Sequence, residues 1–404
     1  MTAARRDRRS ARGSTRGRAL VRWFRRRARP LPWRRHPDPY RTWVAEVLLQ
    51  QTRVEQAAPY FERFVRRFPS VRALARASEA QVLKVWEGAG YYARARHLRS
   101  AARRVAARPG GALPRSIEEL EALPGVGPYI ARAIASLAFG APVVALEANG
   151  LRVAARWSLE RGDVRRSAVR RRLERRLLAE LPSRSPGTFN EALMELGETI
   201  CRPVAPACGR CPVAGRCRAY RELDDPATLP RRRGHAPRPL VRAAVVALEA
   251  DGRWLVQPRP RRGLLGGLWE FPGGKIAPDE RPPAAAAREL REETGLAAPS
   301  LVPVGVVRHA YSHFAVELHV FRGRLARRVP PRNARARWLT AESFARRPRP
   351  RATEKVVALL RATAHRSGGG APPGSGSRPG RTRASAPAAA ALRRRRSPPR
   401  GTIA

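Results

Sequence analysis

The four cysteines of the 404-residue chain, Cys201, Cys208, Cys211 and Cys217, all fall inside one window of 17 residues, spaced C-x6-C-x2-C-x5-C. Thiolates that close together grip a metal centre, since soft sulfur ligands select zinc or an iron–sulfur cluster. Zinc ribbons present two C-x2-C knuckles, whereas this segment has one between wider gaps, which favours a 4Fe–4S cluster over zinc. Disulfide pairing is the weaker rival, because the sequence opens on no apolar stretch of the kind a secretory signal needs. A second group is carboxylate. In Gly274-x5-Glu280-x7-Arg288-Glu289-Leu290-x-Glu292-Glu293-x-Gly295-Leu296, Glu289, Glu292 and Glu293 stand at i, i+3 and i+4. A helix would put them on one face, an arrangement suited to Mg2+ and a diphosphate substrate. A third group is main chain. Leu123-Pro124-Gly125-Val126-Gly127 precedes an apolar helix (YIARAIASLAF). Its glycines let the backbone approach a phosphate, and the N–H groups opening the next helix point at the anion. Taken alone, an ordinary turn between two helices is the alternative.

Composition divides the chain that must position these groups. Residues 1–19 are Arg, Ser and Gly with little to bury, and 364–404 are low-complexity, so both are expected to be disordered and basic. Between about 20 and 220 apolar residues recur at helical spacing, as in Trp43, Val44, Val47, Leu48 and again Val82, Leu83, Val85, Trp86. This part reads as all-α, with the cysteine loop 201–217 at its end. Residues 221–238 are charged and proline-rich and read as a linker. From 239 to 363 the period changes to two in VRAAVVALEA, RWLVQ and FAVELHVF, with a helix at about 283–294 between them, which predicts an α+β domain.

The formal net charge is +50, and 43% hydrophobic residues suffice to give two domains a core each. Such a field attracts polyanions, nucleic acid first, because basic side chains that neutralise phosphates release counterions. The charge is nearly all arginine, the lysines being Lys84, Lys275 and Lys355, so biased coding composition accounts for part of it. No apolar run approaches the length of a membrane span, and a soluble, cytoplasmic protein without membrane association is expected.

Several separate runs carry a more specific reading: PWRRHPDPYRTWVAEVLLQQTRVE (32–55), WEGAGYYARARHL (86–98), LPGVGPY (123–129), FNEALMELGETIC (189–201) and the cysteine cluster. In this order they resemble the MutY family of adenine DNA glycosylases, over roughly residues 20–220, with further motifs beyond. The resemblance implies a helix-hairpin-helix glycosylase domain with a 4Fe–4S cluster, acting as a monomer on duplex DNA. Its substrate would be adenine opposite 8-oxoguanine or guanine, and it would be nucleoid-associated through that DNA. It implies Glu46 as the acid that protonates adenine and activates water. The flanking Val44, Ala45, Val47 and Leu48 fit, since burial raises a carboxyl pKa toward what a general acid needs. Tyr129 and Asn149 match the family's catalytic-site tyrosine and asparagine. Arg34 and Glu191 would line the pocket for the extruded adenine, and Gln51 and Tyr91 would fill or wedge the stack.

One position departs from the family. Where it has Asp-Gly-Asn, this chain has Glu147-Ala148-Asn149, followed by Gly150. The anion beneath the sugar survives, on a side chain one methylene longer that is a poor helix cap, and Gly150 weakens the helix. A lesion-binding protein with impaired catalysis therefore stays open. A strand-cleaving lyase needs an amine, and the relatives that do this chemistry carry lysine where Tyr129 stands. The glutamate-rich run is a complete Nudix box. In the MutY family this fold reads 8-oxoguanine, and Tyr311-Ser312-His313 resembles the family's Phe-Ser-His reading loop. Because the box is intact, Mg2+-dependent hydrolysis of oxidised nucleotides remains the alternative for this domain.

Overall fold

The computed structural model describes residues 14–35, 38–50, 52–231, 238–261, 263, 265–311 and 314–367. The described residues up to 361 form one compact unit. The helical part runs α1 (Thr15–Arg27), α2 (Pro32–Arg35), α3 (Pro39–Leu49), α4 (Val54–Arg67), α5 (Val71–Arg76), α6 (Glu79–Val85), α7 (Tyr92–Ala106), α8 (Ile117–Glu121), α9 (Pro128–Phe139), α10 (Ala148–Ser158), α11 (Ser167–Leu178), α12 (Pro186–Thr199) and α13 (Arg218–Glu222). It has two cores. One gathers Trp43, Leu48, Phe64, Trp86, Leu98 and Ile134 from α3 to α9; the other gathers Leu20, Phe24, Val153, Leu173, Phe189 and Leu196 from α1 and α10 to α12, with Cys217 at its edge.

Helix α1 corrects the basic head, whose expected disorder ran to residue 19. The Ser14 side chain caps it by accepting the Gly17 N–H at 3.1 Å, and Leu20, Val21 and Phe24 bury one stripe. Eight other positions of the helix being arginine, glycine or alanine hides that stripe from composition alone. Gly17 has a reason as well: a Cβ there would lie 1.9 Å from the Glu180 carbonyl oxygen. The linker needs a similar correction. Its start is the end of α13, and Leu229 is buried, its carbonyl accepting from Arg156 Nε at 2.8 Å, so 221–229 belong to the helical domain.

The second domain continues with β1 (Leu240–Ala250), β2 (Arg253–Pro258), β3 (Trp269–Glu270), β4 (Gly273–Lys275), α14 (Pro282–Thr294), β5 (Leu301–Ala310), β6 (Ala315–Arg324), β7 (Arg337–Leu339), α15 (Ala341–Ala345) and α16 (Arg351–Ser367), which ends beyond the expected domain boundary at 363. The sheet order is β3-β2-β1-β6-β5, with β4 paired to β1 and β7 to β2. Among the described residues only β1 and β6 pair parallel, so this α+β domain carries a mixed sheet. β1 is central and covered on both faces, which explains its near-continuous apolar run. Leu290 of α14 packs on one face, and Val356 and Leu360 of α16 on the other. β5 lacked a clean alternation because Pro303 and Gly305 sit at its register shift.

The two domains touch within this unit. Leu268 inserts into the first helical core, Lys84 Nζ donates to the Ala345 carbonyl at 2.7 Å, and the Tyr92 hydroxyl donates to the Arg349 carbonyl at 3.1 Å. Among the described residues no helix is long and apolar enough to cross a membrane.

Candidate active site

A cavity of about 600 Å3 opens where the two helical cores meet, lined by α2, α3, α9, α10 and α12. It collects Glu46, Tyr129, Glu147, Asn149, Arg34, Glu191 and Tyr91, residues up to 157 positions apart in sequence. Gln51 lies outside the described residues.

Glu46 sits in α3, a helix started by the Asp38 cap on the Arg41 N–H (2.9 Å) and by Pro39 in its first turn. Its neighbours Trp43, Val44, Val47 and Leu48 are buried, and Glu46 is itself 4% exposed. Burial pushes its carboxyl up to about 7; the nearby Glu147 and Glu191 add to this, while the Tyr129 hydroxyl and Arg34 oppose it. Among the described residues, that hydroxyl, at 2.9 Å from Oε2, is the only hydrogen-bond donor to the Glu46 side chain. Burial and the two carboxylates hold the Tyr129 hydroxyl well above its usual value, so it remains a donor. Arg94 fixes the far end of α3 by donating to the Val47 and Leu48 carbonyls at 2.8 and 3.1 Å.

Tyr129 is the second residue of α9, placed by the 123–127 turn. Gly125 there has φ +75°, and a Cβ on it would lie 2.5 Å from His97 Cβ; nothing stands within 4 Å of the Cβ position of Gly127, the residue capping α9. The turn is therefore tight on its inner side and open on its outer side, where a phosphate can approach.

Glu147 behaves differently from the poor cap expected of glutamate. Its longer side chain folds back and accepts the Asn149 N–H at 2.8 Å, so it caps α10. Burial raises its carboxyl, with the Asn149 N–H, Arg152 and the Ala148 N–H opposing and Glu198 adding. Gly150, expected to weaken the helix, marks a close approach: a Cβ there would meet Leu146 and Leu193 at 3.2 and 3.3 Å. The Asn149 side chain reaches Glu198 (3.3 Å) and accepts from Arg152 (2.6 Å); it contacts Glu147 through its backbone alone.

Arg34 stacks on Phe24 (4.8 Å), donates from Nε to Glu191 at 3.0 Å and from Nη1 to Glu195 at 3.1 Å. Sequence reasoning missed Glu195 and Glu198, as well as Leu31, Trp33 and Met194, all of which line the cavity. The signal was present, since Glu195 and Glu198 follow Glu191 by four and seven residues on one helical face.

Two family descriptions match the chain: a HhH-GPD superfamily base excision DNA repair protein over residues 44–178, and a NUDIX domain over 243–359. The human adenine DNA glycosylase is 33% identical over 383 residues, covering 81% of this chain and 70% of the relative. The mouse adenine DNA glycosylase is 34% identical over 382 residues, covering 80% and 74%. The chain belongs to the adenine DNA glycosylase (MutY) family. A solved thermostable thymine-DNA glycosylase matches 51% of this chain and 95% of its own at 27% identity and a TM-score of 0.47. By its family and these curated relatives the molecule is a base excision repair glycosylase acting on adenine, and DNA is its partner.

In this glycosylase the cysteines follow α12. Cys217 is buried, and Cys201, Cys208 and Cys211 are half-buried at the edge of the second core. Burial pushes the Cys211 thiol up to about 12, reinforced by the other three cysteines. Among the described residues, no three His, Cys, Asp or Glu side chains are grouped as around a single metal ion. Arg156, only 1% exposed, bears on the same point. It donates to the carbonyls of Leu229, Arg202 and Pro203 and to Cys201 Sγ at 3.3 Å, with no carboxylate partner among the described residues. A buried guanidinium lacking a counter-ion needs an anionic group beside it, and four thiolates around an iron–sulfur core would supply one.

In the glycosylase's second domain the box glutamates are already bonded. Glu289 and Glu292 accept from Arg288 at 2.9 and 3.0 Å, while Glu293 accepts the Gly273 N–H at 2.9 Å and a bond from the Gln257 side chain. Among the described residues the three are not gathered as around a single ion. Tyr311 packs between the rings of His309 (4.6 Å) and Phe314 (5.0 Å) at the end of β5. Ser312 and His313 lie outside the described residues.

Proposed function

We propose that this glycosylase removes adenine mispaired with 8-oxoguanine or guanine, and that it is monofunctional, leaving an abasic site. The observation that carries the chemistry is Glu46, a carboxyl poised at about 7 and aimed into the cavity with Tyr129 on it. In its acid form Glu46 delivers a proton to adenine N7 as the C1′–N9 bond breaks and the bond pair leaves with the base. The Glu147 carboxylate lies beneath the oxocarbenium ion, and water adds to C1′ as the Glu46 carboxylate takes its proton. Among the described residues, Nη2 of Arg34 and Oε2 of Glu191 have no hydrogen-bond partner, leaving a donor and an acceptor side by side. Adenine offers the complement, N6–H beside N1, whereas guanine reverses both. The Watson–Crick edge therefore seats on Arg34 and Glu191 while N7 stays free for Glu46.

Cys201, Cys208, Cys211 and Cys217 would hold a 4Fe–4S cluster. When bound it supplies a structural clamp, and the chain's own contribution is to present Arg210, Arg216 and Arg218 from that loop to DNA phosphate. Monofunctionality is supported by Lys84, the sole lysine of the helical half, being engaged at the second domain rather than lining the cavity. For the base opposite, the reading favours Tyr311, Ser312 and His313 as contacts to 8-oxoguanine, because the box glutamates are bonded internally.

The test is a single-turnover assay on duplex with adenine opposite 8-oxoguanine, read with and without alkali. Strand breakage only after alkali is expected; high-yield borohydride trapping of a protein–DNA adduct would refute it. Ser312→Ala is expected to reduce the preference for 8-oxoguanine over guanine opposite the adenine, and an unchanged preference removes that residue from the reading.

A further inference from the structure

Glu195 touches neither the acid nor the sugar-side carboxylate, yet it is 3% exposed and holds two guanidinium groups at the cavity wall. Its Oε1 accepts from Arg29 Nε at 2.7 Å; its Oε2 accepts from Arg29 Nη2 at 3.3 Å and from Arg34 Nη1 at 3.1 Å. Arg29 in turn reaches the exposed Glu55 at 3.3 Å, so charges alternate from Glu55 outside through Arg29, Glu195 and Arg34 to Glu191 on the wall. This order decides where Arg34 points. Held through Nη1 by Glu195 and by the Arg29 carbonyl, also at 3.1 Å, it meets Glu191 with Nε alone. A guanidinium and a carboxylate left to themselves pair through two parallel bonds, which would close both open atoms. We infer that Glu195 is a positioning residue that denies Arg34 and Glu191 their two-bond pairing and so keeps the adenine-reading edge open. The inference rests on the reading of Arg34 and Glu191 as the adenine contacts.

The experiment compares single-turnover rates on duplex carrying adenine or unsubstituted purine opposite 8-oxoguanine. Purine lacks the N6 amine, and its intrinsic lability cancels when the adenine-to-purine ratio is compared between variants. Glu195→Gln is expected to lower the adenine rate about tenfold to a hundredfold and the purine rate much less, so that the ratio falls. Glu195→Asp keeps the buried charge that Arg29 requires but retracts from Arg34, and its ratio is expected to fall as well. An equal loss on both bases in Glu195→Gln, or a wild-type ratio in folded Glu195→Asp, overturns the assignment, because a merely structural role predicts those results. Glu191→Gln separates the two layers. If its ratio matches wild type, the adenine-edge reading fails and this inference falls with it; if its ratio drops while the Glu195 variants keep theirs, only the positioning role is lost.

Discussion

In helix α14 the single guanidinium of Arg288 reaches Glu280 at 2.8 and 2.9 Å, Glu289 at 2.9 Å and Glu292 at 3.0 Å, whereas Glu46 in the adenine cavity has, among the described residues, one tyrosine hydroxyl and no cation bonded to it. The consequences are opposite. The Arg288 side chain and the Ala277 N–H hold the Glu280 carboxyl down to about 2, while burial pushes Glu46 up to about 7. Glu270, also pushed to about 7, is gripped by Arg259 at 2.8 Å, so burial outweighs a partner there. Proton-transfer chemistry thus belongs to a carboxylate that the fold isolates, and a cluster whose members are all bonded belongs to architecture.

The comparison breaks most visibly at Glu46. Glu46→Gln removes the proton donor and is expected to lower single-turnover excision by about 10²–10⁴-fold while duplex binding persists in a gel-shift assay. Loss of less than tenfold would mean that isolation of this carboxyl is not what the chemistry uses. Glu147→Ala removes the anion under the sugar and is expected to cost about 10²–10³-fold. Glu147→Asp keeps both the charge and the cap on α10, so its rate is expected to stay within about tenfold of wild type. A much larger fall would show that the cavity requires the longer side chain.

A pH series sharpens the same contrast. Excision is expected to decline as pH rises through about 7, where Glu46 loses its proton. Stability follows the same group. Between its ordinary value of 4.5 and about 7 the folded chain keeps a proton that the unfolded chain has released, so stability falls as pH rises through that window. The loss is on the order of 3 kcal/mol. Glu46→Gln is therefore expected to melt higher than wild type at about pH 8 and to lose that advantage at about pH 5. Equal melting differences at both pH values would place the proton elsewhere.

Glu46 was legible in the sequence because its flanks are apolar, which is a local property. The convergence of Arg34, Tyr129, Glu147 and Glu191 on it is a tertiary fact, and it became legible only through the resemblance of separate runs to one family. Local rules also misled. Arginine-rich composition hid the Leu20, Val21 and Phe24 stripe of α1, and the low cap propensity of glutamate gave no sign that the Glu147 side chain would fold back on Asn149. In the box, i, i+3, i+4 spacing is a statement about a helix alone. It could not anticipate that Glu289 and Glu292 would bond Arg288 while Glu293 bonds the Gly273 N–H and Gln257.

The smallest effects are expected in the box, and they separate its hub from its rim. Arg288→Gln leaves Glu280, Glu289 and Glu292 without their common donor, so mutual repulsion is expected to lower the melting temperature of the chain while adenine excision opposite guanine is retained. Glu292→Gln removes only the most exposed of these carboxylates, its side chain 58% accessible, and Arg288 keeps Glu280 and Glu289. Exposed pairs of this kind contribute little. Neither melting temperature nor excision should therefore change measurably, and the preference for 8-oxoguanine should be intact. The same variant tests the alternative for this domain. If the box served Mg2+ and a diphosphate, the wild-type chain would hydrolyse 8-oxo-dGTP in the presence of Mg2+ and Glu292→Gln would stop it, since one carboxylate fewer weakens both charge neutralisation and geometry. No turnover by either protein is expected, because Arg288 and the Gly273 N–H already hold the side chains that an ion would need.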